Sequence, residues 1–167
     1  MKAKLFTLII ICLSIHFLQA QSTELLNNEK GYNDFKFGEV VVKANTEYQL
    51  DTKRSTEEIK AYQHKGECCT HLKGLKIDGI ILYLNVKEEL SQIEFIIEES
   101  KSLSELGQYF FGLQNHYGLF SDYVLATGNE KTSSFFWRSD SYELTMRMTQ
   151  TDASKEKYRA ELILAQY

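Results

Sequence analysis

The sequence predicts a single α+β domain, in which one main helix and one or two shorter helices pack on an antiparallel sheet of about five or six strands. Three observations lead to this prediction. Two neighbouring runs of alternating apolar residues indicate a β-hairpin, an apolar stripe at helical spacing indicates the main helix, and three more alternating runs close the chain. The length of 167 residues fits one domain.

The hairpin is predicted from residues 80–97, where every second residue is apolar. Alternate side chains of a strand share a face, so this pattern gives the hairpin one apolar side: Ile80, Leu82, Leu84, Val86, Ile93, Phe95 and Ile97. The polar run Lys87–Glu89 supplies the turn. Glu94 and Glu98 fall on the opposite face, which we therefore expect to meet solvent.

The main helix is predicted to begin after Ser102. Ser102 and Glu105 fit a capping box, in which the hydroxyl and the carboxylate satisfy backbone donors at a helix start. Gly118 is expected to end the helix. Between these limits one face is apolar: Leu103, Leu106, Phe110, Leu113 and Tyr117.

A shorter helix is predicted from Thr56 to about Lys65, again from a capping-box pattern, here Ser55 with Glu58. Ile59 and Tyr62 would form its apolar face, and Gly66 would end it.

The last third of the chain predicts three strands. Phe135 and Trp137 alternate with Phe136 and Arg138, and we interpret the aromatic group as core rather than as a ligand site. Two further strands follow from alternating apolar positions, first Tyr142, Leu144, Met146 and Met148, then Tyr158, Ala160, Leu162 and Leu164.

The first twenty residues have the features of a secretory signal peptide. Lys2 and Lys4 precede an apolar run that ends before Gln19-Ala20. We expect cleavage near Ala20/Gln21 and a secreted or periplasmic protein, with membrane contact only if residues 1–20 stay uncleaved. Residues 21–30 are polar and are expected to form a loose lead-in to a domain over residues 31–167.

The charge balance bears on possible partners. The full chain has 19 Lys and Arg against 23 Asp and Glu, a net charge of −4. Removal of residues 1–20 would leave 17 against 23, a net charge of −6. An acidic chain lacks the basic footprint of a nucleic-acid binder and favours a basic protein partner.

The arrangement of these segments resembles that of small secreted α+β domains of uncharacterised function from Gram-negative bacteria. The resemblance rests on Phe35-Lys36-Phe37-Gly38, the Ile80–Ile97 hairpin, the helix that ends in Asn115-His116-Tyr117-Gly118, and Trp137. The layout is also similar to envelope domains that resemble the β-lactamase-inhibitory protein. That similarity implies protein binding without catalysis, and it assigns no individual functional residue.

The residues best suited to chemistry lie in one short segment that contains His64, Cys68, Cys69 and His71. Two thiolates and two imidazoles could bind zinc or copper, although adjacent cysteines rarely bind one tetrahedral ion together. A disulfide between Cys68 and Cys69 is a second interpretation, and a loop without special chemistry is a third. His64 itself could lie in the last turn of the predicted short helix, where the helix dipole favours a positive charge.

The sequence contains no other pattern typical of catalysis. It has no nucleophile elbow, Gly-rich phosphate loop or His-Glu-x-x-His helix. His116 could act as a base, but a histidine near a helix C-terminus needs no catalytic explanation. The sequence therefore favours an exported, non-enzymatic binding or inhibitor-like domain without a cofactor. The alternative is a metal- or thiol-handling protein that uses the His64–His71 segment.

Overall fold

The computed structural model describes residues 26–41, 47–66, 70–127, 131–153 and 157–167. Within these residues the protein is mostly β, with 51% in strands and a single helix. The predicted α+β class, with one or two shorter helices and five or six strands, is therefore wrong. The short segments expected to be helical or irregular form strands instead, and they widen the sheet.

In chain order the described elements are β1 (Gly31–Tyr32), β2 (Phe35–Lys36), β3 (Tyr48–Leu50), β4 (Lys60–His64), β5 (His71–Leu72), β6 (Leu75–Lys76), β7 (Gly79–Leu84), β8 (Leu90–Lys101), α1 (Leu103–Tyr117), β9 (Asp122–Val124), β10 (Thr132–Arg138), β11 (Tyr142–Asp152) and β12 (Lys157–Gln166). Eight strands form one sheet in the order β3-β4-β7-β8-β12-β11-β10-β9. All its neighbouring pairs are antiparallel. The pairs β1–β2 and β5–β6 form two small separate hairpins.

The predicted hairpin is present as β7 and β8, with Leu82 opposite Ile93 and Ile80 opposite Phe95. Its turn begins earlier than expected, so Val86 lies outside β7 and is 75% exposed. The expectation that Glu94 meets solvent is also wrong. This residue lies on the face of the hairpin opposite the apolar one and is only 4% exposed. The side chains of Arg54 and Tyr83 contact its carboxylate.

The helix predicted from Thr56 is absent, and Lys60–His64 forms β4 instead. The Ser55 hydroxyl donates to Asp51 O (2.7 Å) and accepts from the Ala61 amide (3.0 Å), so it closes a loop. Serine and threonine side chains make such local bonds in turns as well as at helix starts. Ala61 then enters the sheet opposite Tyr83.

The main helix is confirmed, and both of its ends match the sequence pattern. The Ser102 hydroxyl accepts from the Glu105 amide (3.3 Å), and the Glu105 carboxylate accepts from the Ser102 amide (2.7 Å). Gly118 ends α1 with a φ of 80°, a conformation that favours glycine. The Trp137 indole donates to Gly118 O (2.9 Å) and ties this end of the helix to β10.

The core lies between α1 and the near face of the sheet. One row of opposed residues crosses all eight strands of that face: Tyr48, His64, Ile80, Phe95, Leu162, Met146, Phe135 and Tyr123. The four central members are at most 2% exposed. The row emerges at the β9 edge, where Tyr123 is 53% exposed.

The segment before β1 is better anchored than its polar composition indicates. Leu26 is buried in the core, although it belongs to the residues expected to form a loose lead-in. The described residues contain no helix long and apolar enough to cross a membrane.

Candidate functional site: an apolar groove beside a sheet edge

His64, the first residue of the predicted metal or thiol segment, packs as a core side chain. Its ring lies 5.3 Å from the rings of both Phe35 and Tyr48, measured between centroids. Its Nε2 atom is 3.9 Å from a carboxylate oxygen of Glu47. The expected position at a helix C-terminus is wrong because β4 replaces that helix. These contacts place the His64 ring among aromatic side chains at the edge of the core.

A polar cavity of about 280 Å³ adjoins this histidine, and Gly66, Thr70 and Asp78 are among its lining residues. His71 is exposed, with its Nδ1 atom 2.9 Å from the Thr70 hydroxyl. Cys68 and Cys69 lie outside the described residues. Among the residues that are described, no group of three or more His, Cys, Asp or Glu side chains could hold a metal ion. The zinc or copper site and the Cys68–Cys69 disulfide stay predictions.

His116 belongs to a polar cluster at the end of α1. Its Nε2 atom lies 3.9 Å from Glu29 Oε1, which also accepts a hydrogen bond from the Tyr117 hydroxyl (3.1 Å) and pairs with Lys73 (2.5 Å). Burial and the nearby Lys73 lower the pKa of His116, although Glu29 opposes this. The cluster ties the N-terminal segment to the helix, which is a structural role.

A second charged cluster covers the face of the sheet that is turned away from α1. Glu94 accepts from the Tyr83 hydroxyl and lies 3.5 Å from an Arg54 guanidinium nitrogen. Burial and the Glu94 carboxylate together raise the pKa of Tyr83 strongly. Glu161 is also buried and pairs with two arginines. Its carboxylate oxygens lie 3.5 Å from an Arg147 guanidinium nitrogen and 3.0 Å from an Arg159 guanidinium nitrogen. Because these charges pair within the chain, the cluster is explained as a structural network.

An apolar groove of about 380 Å³ runs between α1 and strands β10 and β11. Its lining side chains are nonpolar and include four phenylalanines. The lining residues are Leu103, Leu106, Gly107, Phe110, Phe111, Phe120, Phe135 and Met148.

Phe110 is the centre of the aromatic part of this groove. Its ring lies 4.9 Å from that of Phe135 and 5.8 Å from those of both Phe120 and Phe111. Trp137 follows at 6.1 Å and is buried in the core. The groove is therefore a continuation of the core that reaches the surface.

The exposed rim of the groove comes from the helix. Phe111 is 63% exposed and Leu103 is 56% exposed, although the sequence places Leu103 on the buried stripe. The sequence did contain a signal for this rim. Leu103, Gly107 and Phe111 are spaced by four residues and widen the apolar face of the helix. Sequence reasoning also missed Phe120 and interpreted Phe135 as core.

The exposed apolar surface continues from the groove to the sheet edge. Phe120 contacts Tyr123 of β9, with the ring centroids 5.7 Å apart. Leu119 and Leu125, in the segments that flank β9, are also exposed, whereas Val124 is exposed on the opposite face of the sheet because it follows Tyr123 in the strand. Soluble monomers rarely expose large contiguous apolar patches without a functional reason.

This arrangement can bind apolar groups. Its volume fits several aliphatic or aromatic side chains. Among the described residues, the lining contains no ionisable side chain and no nucleophile. Comparisons with protein-family models, curated proteins and solved structures found no match to this chain.

Proposed function

We propose that this chain is an exported, non-enzymatic binding or inhibitor-like domain that holds apolar side chains of a protein partner in the groove between α1 and the sheet. The observation that carries the proposal is an apolar groove continuous with the core whose rim residues Leu103 and Phe111 are exposed. Their burial against a partner would be favourable, at roughly 25 cal/mol for each Å² removed from water.

A protein segment suits this surface better than a small polar metabolite or a lipid chain. Small-molecule sites normally place a few polar groups among apolar ones, and none of the described lining residues of the groove has a charged side chain that would orient a ligand. A hydrocarbon chain would fill the groove but could not use the neighbouring sheet edge at β9. A polypeptide can use both.

The charge of the chain adds to the proposal. With residues 1–20 removed the net charge would be −6, so a basic partner would associate faster through electrostatic attraction. The location in the periplasm or outside the cell is part of the proposal and rests on the pattern of residues 1–20.

The test uses variants that change the groove without touching the buried core. Phe111→Glu places a charge on the exposed rim. Gly107→Leu fills the groove from α1, since Gly107 lines the groove and a Cβ atom at this position would have only Phe111 Cε2 near it, at 4.0 Å. Both variants should retain less than about a tenth of a partner that the wild type retains from envelope extract. Gly107→Leu should not lower the melting temperature, because leucine favours helix over glycine.

Matched controls separate the groove from general surface effects. Val86→Glu adds the same charge at an exposed apolar residue of the β7–β8 turn, and Gln108→Leu adds the same side chain on the exposed side of α1. Both controls should retain the partner as the wild type does. Equal retention by Phe111→Glu, Gly107→Leu and the controls would contradict the proposal.

A further inference from the structure

The outer strand β9 ends the main sheet, and no described strand pairs with its outer side. Soluble proteins commonly protect such edges with lysine, proline or a bulge, because an exposed strand edge can pair with another chain. β9 has no lysine, proline or bulge; it is short, with the three residues Asp122, Tyr123 and Val124, and its one charged side chain is that of Asp122.

The position of Tyr123 indicates what would cover this edge. Tyr123 is the last member of the apolar row that crosses the near face, and it stands opposite Phe135 of the groove. An added strand would lie about 4.8 Å further out, and its next side chain would extend the row beside Tyr123 and Phe120. Alternate side chains of that strand would share the groove side.

Asp122 occupies part of the same edge. Its Oδ1 atom accepts the Tyr123 amide (2.8 Å), and its Oδ2 atom is held by Arg138 Nη1 (3.2 Å). In an antiparallel edge strand every second residue turns its backbone groups outward. The carboxylate therefore occupies the place that a carbonyl oxygen of an added strand would take.

We infer that the partner adds an extended segment to the outer edge of β9, with apolar residues at alternate positions on the side of the sheet that carries the groove, and that Asp122 is a removable cap on this edge. This inference rests on the proposed function. It specifies the partner's chemistry as an extended, alternating segment rather than an amphipathic helix or an acyl chain.

The probe is a labelled synthetic peptide of about nine residues in which leucine alternates with threonine between terminal lysines. Its affinity is measured by fluorescence anisotropy. N-methylation of every second amide of the peptide removes the hydrogen-bond donors along one edge of the peptide strand. This change should weaken peptide binding about tenfold. Asp122→Ala should tighten binding about threefold or more, because the competing carboxylate is gone. Asp140→Ala removes the same charge at an exposed turn and should not tighten binding of this basic peptide.

The outcomes distinguish the inference from the function on which it rests. If Phe111→Glu weakens binding but N-methylation and Asp122→Ala leave it unchanged, the groove binds and strand addition is wrong. If the parent peptide does not bind, or if Phe111→Glu has no effect on its binding, both the inferred strand addition and the proposed function are contradicted. A fluorescent fatty acid that competes with the peptide only in the groove, or a dimer of the chain that Phe111→Glu abolishes, would assign the surface to another occupant and overturn the inference.

Discussion

Phe110 is a single residue in which core and candidate site coincide. The helical stripe predicts it as core, and its ring does pack near buried Trp137. It is nevertheless half-buried, because the other side of the ring lines the groove. Sequence periodicity indicates which residues turn inward, but it does not show where the inward face reaches the surface.

Glu143 gives a prediction about pH. Burial raises the pKa of this carboxyl, but hydrogen bonds from Arg138 (2.6 Å), Tyr167 (2.8 Å) and Thr145 (3.1 Å) outweigh burial and hold the pKa below its usual range. A lowered pKa stabilises the folded state above the unfolded pKa, and this contribution is lost as the pH falls through the folded pKa.

Glu143→Gln should therefore make the free energy of unfolding fall less steeply between about pH 5 and pH 3, by about 1 kcal/mol or less because the pair is partly exposed to solvent. Denaturant titrations at both pH values measure the difference. Glu39→Gln is the control, since that exposed carboxylate lies 3.8 Å from Lys36 on the surface. An equal slope in wild type and Glu143→Gln would show that the network contributes nothing.

Among the elements, two identical sequence patterns have different outcomes. Ser102 with Glu105 caps α1, whereas the Ser55 hydroxyl closes a turn before β4. The first pattern precedes a long apolar stripe that can pack on the sheet, and the second precedes only Ile59 and Tyr62. Most helical stability in proteins comes from such packing, so the capping pattern alone does not predict a helix.

The cap of α1 gives a prediction at this scale. Ser102→Ala should lower the free energy of unfolding by about 1 kcal/mol, because it leaves a backbone donor at the helix start without its acceptor. Leu103 follows the cap directly and forms the groove rim, so peptide affinity should fall as well. Ser104→Ala, on the exposed side of the same turn, should be neutral in both assays. Equal losses from both variants would contradict a specific role for the cap.

β9 is an element that the sequence did not predict. Its three residues are too few to show an alternating pattern, and Asp122 is not typical of strands. The strand exists because its backbone pairs with residues 134–136 of β10. Pairing of this kind depends on chain segments whose mutual position the local sequence does not encode.

For the whole molecule, local signals predict the β7–β8 hairpin, α1 and the three long strands near the C-terminus. They do not predict the mostly β class or the strand order, in which β12 lies between β8 and β11. The groove depends on that order, because it brings Leu103 and Phe111 of α1 over Phe135 of β10. The sequence places Leu106, Phe110 and Phe135 in the core, and only the assembled fold shows that Phe110 and Phe135 also line a groove.

The central claim is that this groove and the adjacent β9 edge form the binding surface, and amide chemical-shift mapping with the alternating peptide tests it most directly. We predict that the largest shifts fall within Leu103–Phe111 and at Asp122, Tyr123 and Val124. Shifts confined to the cavity near His64, Gly66 and Asp78, or spread over the charged face around Glu94, would contradict the account.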